Sequence, residues 1–443
     1  MKKSLINFIL LSVSVISVIS CKKSNPNFQQ EAANPEFLRK TQLQVTESII
    51  HDIFAPPVSS RIYVYASLAA YEAAVPGYPK YRSMVGQLKG FSKVATPEAG
   101  KEYCYPLAST RAFLKVGQKL TFAQELYEDF EKKLWEEYKT IGVPDDVYKR
   151  SIAFGDSVAA SIIKYSGKDN YKQTRGFRYT VTNKEGTWVP TPPAYFDAAE
   201  PNWFKIRPLT LDTASQFAPP APHPYDMTKG SPYYNQVMEI YNTVKNLTQE
   251  QRNIANFWDC NPFKMNITGH AMFATKKLSP GGHWMGITSQ ISRQAKSDYM
   301  QTAEAYLLTS MSVFDGFISC WDEKYRSQKV RPETVINAKV DKDWLPVLQT
   351  PPFPEYTSGH SVISNAAAEA LTSMFGDNVA FSDSTEIPYG LPVRKYTSFR
   401  QAAREASISR LYGGIHFRQA LDVGNEQGEN VGKWIVSRIK TKK

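Results

Sequence analysis

The sequence predicts an all-α protein built from two helical bundles, and three observations support this prediction. Apolar residues recur at helical spacing in most segments, as in SSRIYVYASLAAYEAA at 59–74, which ends just before a Pro-Gly pair. Alternating runs of the strand type are not evident. The chain has 443 residues, of which 42% are hydrophobic, so it is long enough for one large core or two medium ones.

The N-terminus has the composition of an export signal. Lys2 and Lys3 precede an apolar run, and Ser20 is followed directly by Cys21. A cysteine after a small residue resembles the bacterial lipobox, in which Cys21 would be lipidated; an ordinary signal peptide with a chance cysteine is the alternative. We therefore expect a lipoprotein signal peptide at 1–20 and a polar tether at 21–34. The rest of the chain would be an exported bacterial lipoprotein, located in the periplasm or cell envelope and anchored to the membrane by this lipid.

The body divides loosely near residue 215 into two predicted helical domains, 35–215 and 216–443. A long stretch at 168–230 is rich in Pro, Gly and aromatic residues, and we interpret it as an ordered and functional loop crossing the surface. No later stretch approaches the ~18 consecutive apolar residues of a membrane-spanning helix. Helices are predicted at 59–74, 121–141, 145–165, from Thr248 through Trp258, from Gly286, and at 299–321.

Charge and cysteine content exclude some classes of protein. The net charge is +11, but the Lys and Arg residues are scattered, so no nucleic-acid partner is predicted. Cys104, Cys260 and Cys320 match no zinc-binding spacing and cannot form a complete disulfide framework. Burial is the favoured interpretation of these three cysteines, with one disulfide bond as the alternative.

Two stretches near the C-terminus carry residues suited to binding an anion. In WDEKYRSQKVRPETV, Lys324 and Arg331 are seven residues apart and would share one face of a helix that Pro332 ends or bends. In FPEYTSGHSVISNAAAEALTSMF, Ser358, Gly359 and His360 lie where a helix begins, and a helix N-terminus favours an anion. Taken alone, the first stretch fits a solvated charged face and the second a capping serine with a structural histidine.

A third stretch, EASISRLYGGIHFRQALDVGNEQGENVGKWI, completes the set. Arg410, which follows Ser409, closes one helix, and His416 opens the last helix, whose glycines lie on its buried face. His416 alone fits a satisfied core histidine equally well. Together, however, the cations, the helix start and the two histidines would form a cage for a tetrahedral oxyanion, because guanidinium forks and backbone N–H groups match its oxygens.

The three motifs, K-x6-RP, SGH and SR-x5-H, resemble in order the signature of the type 2 phosphatidic acid phosphatase and vanadium-dependent haloperoxidase superfamily. The signature covers residues 324–416, within the C-terminal bundle. The resemblance implies that His416 is the vanadium ligand or the phosphatase nucleophile, and that His360 is its acid–base partner. It further implies that the oxyanion is held by Lys324, Arg331, Ser358, Gly359 and Arg410.

The sequence departs from the family pattern at two positions. Thr357 replaces the usual Pro before SGH, and Ala420 replaces the Asp commonly found four residues after the second histidine. That carboxylate orients the imidazole, and Asp422 lies too far round the helix to replace it. Three alternatives follow: another group holds His416, a backbone carbonyl does, or its nucleophilicity is reduced.

The resemblance leaves more than one activity open. Membrane phosphatases of the superfamily carry the motifs on spanning helices, whereas the two-bundle plan resembles the vanadium haloperoxidases. The favoured prediction is an enzyme that binds vanadate as cofactor and oxidises halide with hydrogen peroxide. The alternative is a periplasmic acid phosphatase acting on a phosphate ester through a phosphohistidine at His416, with no cofactor. A third possibility is an inactive phosphate-binding protein.

Overall fold

The structure, a computed structural model, describes residues 25–268 and 270–443, and it confirms the all-α fold. The predicted signal peptide and Cys21 lie outside the described residues. Among the described residues, six α-helices precede the long loop and a seventh, short one lies near its start; those predicted at 59–74, 121–141 and 145–165 are among the six. The seven are α1 (Phe28–Ala32), α2 (Glu36–His51), α3 (Pro56–Ala74), α4 (Tyr105–Leu120), α5 (Glu125–Thr140), α6 (Asp145–Ser166) and α7 (Tyr171–Thr174).

Eight further helices follow the loop. Thr248 caps α9 through the predicted capping box with Gln251. The helix expected from Gly286 begins earlier, after Ser279, whose hydroxyl accepts from the N–H of Gly282. The helices are α8 (Pro232–Lys245), α9 (Gln249–Phe257), α10 (Pro280–Gln294), α11 (Tyr299–Ser327), α12 (Pro332–Lys339), α13 (Gly359–Phe375), α14 (Phe399–Tyr412) and α15 (Arg418–Arg438).

The described residues also contain two short antiparallel hairpins that the sequence reasoning missed. Strand β1 (Phe263–Thr268) pairs with β2 (Ala271–Lys276), so that the first residue of β1 lies opposite the last of β2. Strand β3 (Phe381–Asp383) pairs with β4 (Arg394–Tyr396). Strands β3 and β4, of three residues each, are too short to show an alternating pattern, so their pairing depends on the tertiary structure.

The prediction that one helix carries Lys324 and Arg331 is wrong. Gln328 adopts a left-handed conformation with φ of 49° and ends α11 after Ser327. Arg331 is instead the extended residue that precedes α12, and Pro332 is the first residue of that helix. The two cations therefore lie on either side of a short connection.

Helix α11 is the central element of the fold. It packs against α3 of the first half and against α13 of the second, and one buried apolar cluster runs from Phe28 to Ile439. Helix α15 lies close along α13 because Gly424, Gly428 and Gly432 face that helix. The predicted domain boundary near residue 215 stays a prediction, since helices of both halves contribute to this cluster.

The long loop at 168–230 is hydrogen-bonded to α11. The backbone carbonyl of Ala199 accepts hydrogen bonds from the Trp321 indole at 3.2 Å and the Tyr325 hydroxyl at 2.8 Å. The buried Asp315 carboxylate of α11 accepts the backbone N–H groups of Leu209 and Thr210, each at 2.8 Å. The loop is thus ordered by contacts to α11, as the sequence predicts.

None of the helices in the described part of the chain is long and apolar enough to cross a membrane. The three cysteines there are buried and unbridged, as expected.

Candidate active site

The start of α13 is built as the sequence predicts. Ser358 is extended, and its hydroxyl oxygen accepts the N–H of Ser361 at 3.3 Å, which caps the helix. Its own N–H donates to the Ala420 carbonyl of α15 at 3.0 Å. The first N–H groups of a helix have no partner within the helix, so those of Gly359 and His360 are suited to binding an anion.

The imidazole of His416 is held between a carboxylate and a guanidinium. Its Nδ1 lies 2.9 Å from Oε1 of Glu355, and its Nε2 lies 3.1 Å from Nη1 of Arg331. Because a guanidinium has no acceptor, Nε2 must carry the lone pair and Nδ1 the proton. Glu355 is therefore the missing orienting group, and of the three alternatives raised by Ala420 the structure shows the first.

Burial and charge keep His416 neutral. Burial lowers its pKa well below the usual value, and the cations Arg331 and Lys324 lower it further. Burial also raises the pKa of Glu355 to about 7, against the opposing effect of the same two cations. Oε1 of Glu355 accepts a second hydrogen bond, from the N–H of Phe417 at 3.0 Å, which fixes the carboxylate at the entrance to α15.

Arg410 and His360 form a second pair beside the first. Nη1 of Arg410 donates to the Trp258 carbonyl and lies 3.3 Å from Nε2 of His360. By the same argument, Nε2 of His360 accepts and its proton is on Nδ1. Burial and then Arg410 lower the pKa of His360 well below the usual value, so this imidazole is neutral too.

Lys324 is buried beside these groups, but its N–H groups are all used. Nζ donates to the backbone carbonyls of Pro354, Glu355 and Thr357 at 2.9, 3.0 and 2.5 Å. Burial lowers the pKa of Lys324 to about 7. Thr357, which stands where the family usually has Pro, is held by this bond and by its hydroxyl, which donates to Oε1 of Gln427 at 2.7 Å. Lys324 thus stabilises the conformation of residues 354–357, which precede the SGH turn.

A cavity of about 270 Å³ opens onto the site. Gly359, His360, Arg410 and His416 line its polar part. The remaining wall is mainly apolar and aromatic, and the long loop and β1 contribute to it. These wall residues include Phe196, Phe263, Phe317, Trp321 and Phe353. Tyr356, two residues before Ser358, donates its hydroxyl to the Pro220 carbonyl at 2.6 Å.

The residues present fit an oxyanion. Two buried guanidinium nitrogens, Nη2 of Arg331 and Nε of Arg410, have no hydrogen-bond partner among the described residues. Leaving buried charged donors unpaired is costly, and a bound anion would satisfy them. A Cβ built on Gly359 would meet only Cζ3 of Trp321, at 3.8 Å, so protein packing alone does not require glycine here.

Sequence reasoning missed Glu355, although it lies three residues before Ser358. The family pattern places the orienting carboxylate on the helix that follows His416, far from Glu355 in the chain. The one available signal was an acidic residue in an otherwise apolar and aromatic stretch, FPEY, next to a predicted anion site. An unpaired carboxylate there would repel the anion, so its presence indicates a buried partner.

Fold and site together define a mainly helical enzyme of the oxyanion-binding class, with two neutral histidines at the end of a cavity. Comparison with known proteins supports this assignment. Residues 304–442 match the family model of the VCPO second helical-bundle domain. None of the curated proteins compared matches the chain.

Three solved bacterial structures are similar over most of the chain. A bacterial vanadium-dependent iodoperoxidase is 45% identical, with a TM-score of 0.86 over 92% of this chain and 97% of its own. A holo-type vanadium-dependent chloroperoxidase is 17% identical, with a TM-score of 0.67 over 87% and 93%. Its apo-type counterpart is 16% identical, with a TM-score of 0.65 over 87% and 95%. The chloroperoxidases support the fold alone.

The chain belongs to the vanadium-dependent haloperoxidase family, because the first of these relatives is similar over nearly its whole length. This confirms the superfamily, the haloperoxidase-like function and the oxidoreductase class predicted from the sequence.

Proposed function

We propose that this enzyme binds vanadate at the polar end of the cavity and oxidises iodide with hydrogen peroxide. The observation that carries the proposal is the His416 imidazole, whose unprotonated Nε2 lies beside Arg331 while Glu355 holds its other nitrogen. The 45% identical relative is an iodoperoxidase, which supports the choice of halide.

Named residues would hold the cofactor. His416 would ligate vanadium through Nε2, and the free guanidinium N–H groups of Arg331 and Arg410 would bind its oxygens. The hydroxyl of Ser358 and the N–H of Gly359 would complete the cradle, with Lys324 contributing charge. Bound vanadate would supply a Lewis acid for the net reaction in which peroxide, halide and a proton give hypohalous acid and water.

His360 would act as a base in this reaction. Its Nδ1 carries the proton and its Nε2 accepts from Arg410, so the neutral imidazole has capacity to take up a further proton at Nε2. It lines the cavity and is partly exposed to it, so an entering peroxide molecule would reach it. The proton would later return to the leaving water.

The cavity wall supports iodide as the substrate. An anion entering this cavity, whose wall includes Trp321 and Phe353, loses much of its hydration, and this cost is smallest for the largest and most weakly hydrated halide. Iodide is also the most easily oxidised of the three common halides. The expected order of rates is therefore iodide, bromide, chloride.

Halide oxidation and phosphate-ester hydrolysis should be assayed side by side on the purified metal-free protein, with and without orthovanadate. We expect vanadate-dependent iodide oxidation that His416→Ala abolishes and the control His51→Ala, at an exposed histidine, retains. Phosphate release that vanadate inhibits, without halide oxidation, would instead establish the phosphatase. Absence of both activities would favour the inactive phosphate-binding protein.

We also propose that the protein is exported and anchored through lipid on Cys21, on the basis of the signal-like N-terminus. Detergent-phase partitioning of the protein from cells tests this. The wild-type chain should enter the detergent phase and Cys21→Ala the aqueous phase. Equal partitioning of the two would contradict the anchor.

A further inference from the structure

A second cluster of potential ligand atoms lies outside the oxyanion site. It comprises Sγ of Cys260, Nδ1 of His283 and a carboxylate oxygen of Glu386, all within 4.8 Å of one another. Sγ lies 3.4 Å and Oε1 of Glu386 lies 3.2 Å from Nδ1. All three residues are buried, and they come from three segments: the connection after α9, the first turn of α10 and the connection between β3 and β4.

The Glu386 carboxylate is buried where the described residues offer it no hydrogen bond. The residue is only 1% exposed, and neither of its oxygens has a hydrogen-bond partner among the described residues. Its Oε1 is close to His283, but the contact lacks hydrogen-bond geometry. A buried carboxylate without hydrogen bonds is costly unless a cation is next to it.

The opposite side of His283 is arranged as it is in metal sites. Its Nε2 lies 2.7 Å from Oδ2 of Asp383, a carboxylate that Thr385 also contacts through its N–H and hydroxyl. A carboxylate there holds the proton on Nε2 and leaves the lone pair on Nδ1, toward Cys260 and Glu386. Carboxylate support of this kind is the usual partner of a metal-binding histidine.

We propose that Cys260, His283 and Glu386 bind a divalent zinc-class cation. In tetrahedral zinc sites, bonds of about 2.0–2.3 Å place neighbouring ligand atoms roughly 3.3–3.8 Å apart, close to the two distances around Nδ1. Thiolate and imidazole ligands favour zinc over magnesium or calcium. Because Cys260 lines the cavity, water from the cavity would supply the fourth ligand. Binding releases the thiol proton to solvent, and no oxidation takes place.

The cation would be a structural cross-link next to the active site. The Trp258 indole stacks on His283 with ring centroids 4.4 Å apart, and the Trp258 carbonyl accepts from Arg410. Joining the three segments would therefore fix the support of one oxyanion-binding guanidinium. The alternative is a metal-free cluster in which a His283 imidazolium lies between Asp383 and Glu386.

The metal content of the purified protein distinguishes the bound cation from the metal-free cluster, and this measurement does not depend on halide oxidation. The full-length protein, purified from zinc-supplemented medium and dialysed, should retain about one zinc per chain by elemental analysis. Cys260→Ala and Glu386→Gln should lose it, whereas Cys104→Ala, at a buried cysteine that is not part of the cluster, should keep it. Cobalt exchanged into the wild type should give a thiolate-to-cobalt charge-transfer band that is absent from Cys260→Ala.

Circular dichroism of each variant verifies folding, and Glu386→Gln provides the second test should Cys260→Ala not fold. A wild-type protein that binds neither zinc nor cobalt would overturn the proposal. So would zinc retained equally by Cys260→Ala and Cys104→Ala, since the metal would then lie elsewhere.

Discussion

At the scale of single residues, the site depends on a carboxylate and an imidazole that are 61 positions apart in the chain. Glu355 accepts the hydrogen bond from the Nδ1–H of His416, and Arg331 faces Nε2. The lone pair is thereby held toward the guanidinium, where an oxyanion would bind. Burial keeps the pKa of His416 low, so this form persists at neutral pH.

Glu355→Gln tests the role of this carboxylate. The amide oxygen can still accept from Nδ1, but the negative charge that strengthens His416 as a ligand is lost. Loss of such a supporting group typically costs about 10–100-fold in metal affinity, and we expect a weakening of this size for orthovanadate. Titration calorimetry measures it. The surface variant Glu136→Gln is the control, and an unchanged affinity in Glu355→Gln would contradict the role.

A second prediction concerns Lys324 and pH. Burial lowers its pKa to about 7, so the free protein loses this charge as the pH rises through 7, whereas a bound anion would raise the pKa again. Anion binding is therefore favoured by Lys324 below pH 7, and the advantage declines above it. The ratio of orthovanadate affinities between wild type and Lys324→Met should be roughly tenfold or more at pH 6 and should shrink toward pH 9.

The ratio cancels the ionisation of vanadate itself, because both proteins meet the same mixture of species at each pH. Thermal unfolding of Lys324→Met verifies that the three carbonyls it leaves unpaired do not unfold the protein. A ratio that is constant from pH 6 to 9 would contradict the lowered pKa.

At the scale of elements, the contact between α13 and α15 sets the distance between the SGH turn and the last helix. A Cβ on Gly428 would lie 2.1 Å from the Val362 carbonyl oxygen, a backbone atom that cannot move aside. The same two helices are joined at their starts by the hydrogen bond from Ser358 to Ala420. The glycines of α15 therefore serve the geometry of the site as well as packing.

Gly428→Ala should lower the free energy of unfolding by roughly 1–3 kcal/mol or more, because the two helices must move apart. Gly316→Ala is a matched control, since it is also a buried helical glycine, but its added Cβ would find only ordinary contacts, the nearest at 3.6 Å. That variant should be neutral or slightly stabilised. Chemical denaturation measures both, and equal stabilities would contradict the close approach.

Sequence patterns predicted several of the long helices, among them α3, α6 and α11, because amphipathic periodicity and capping signals are local. The end of α11 at Gln328 was not predictable, since nothing in the sequence requires its left-handed conformation. Glu355 was missed because its partner His416 is distant in the chain, and only packing brings them together. The use of all three N–H groups of Lys324 by carbonyls likewise depends on tertiary structure.

At the scale of the whole molecule, the two halves share one apolar cluster through α11. Asp315 and Trp321 of that helix also bind the long loop. Unfolding the first half would expose one side of α11 and release the loop that forms part of the cavity wall. The two halves are thus expected to unfold together.

Thermal unfolding should accordingly show one transition, with circular dichroism and tryptophan fluorescence giving the same midpoint. Orthovanadate should raise that midpoint, because a ligand that binds only the folded state stabilises it by mass action, about 2.7 kcal/mol at a hundredfold excess over Kd. Two separated transitions, only one of them shifted by vanadate, would contradict a shared core.

A crystal structure of the protein with orthovanadate tests the central claim most directly. The account predicts vanadium within bonding distance of Nε2 of His416, with its oxygens hydrogen-bonded to Arg331, Arg410 and the start of α13, and with Nδ1 still on Glu355. Vanadate bound away from His416, or a His416 ring turned away from Glu355 in the complex, would contradict it.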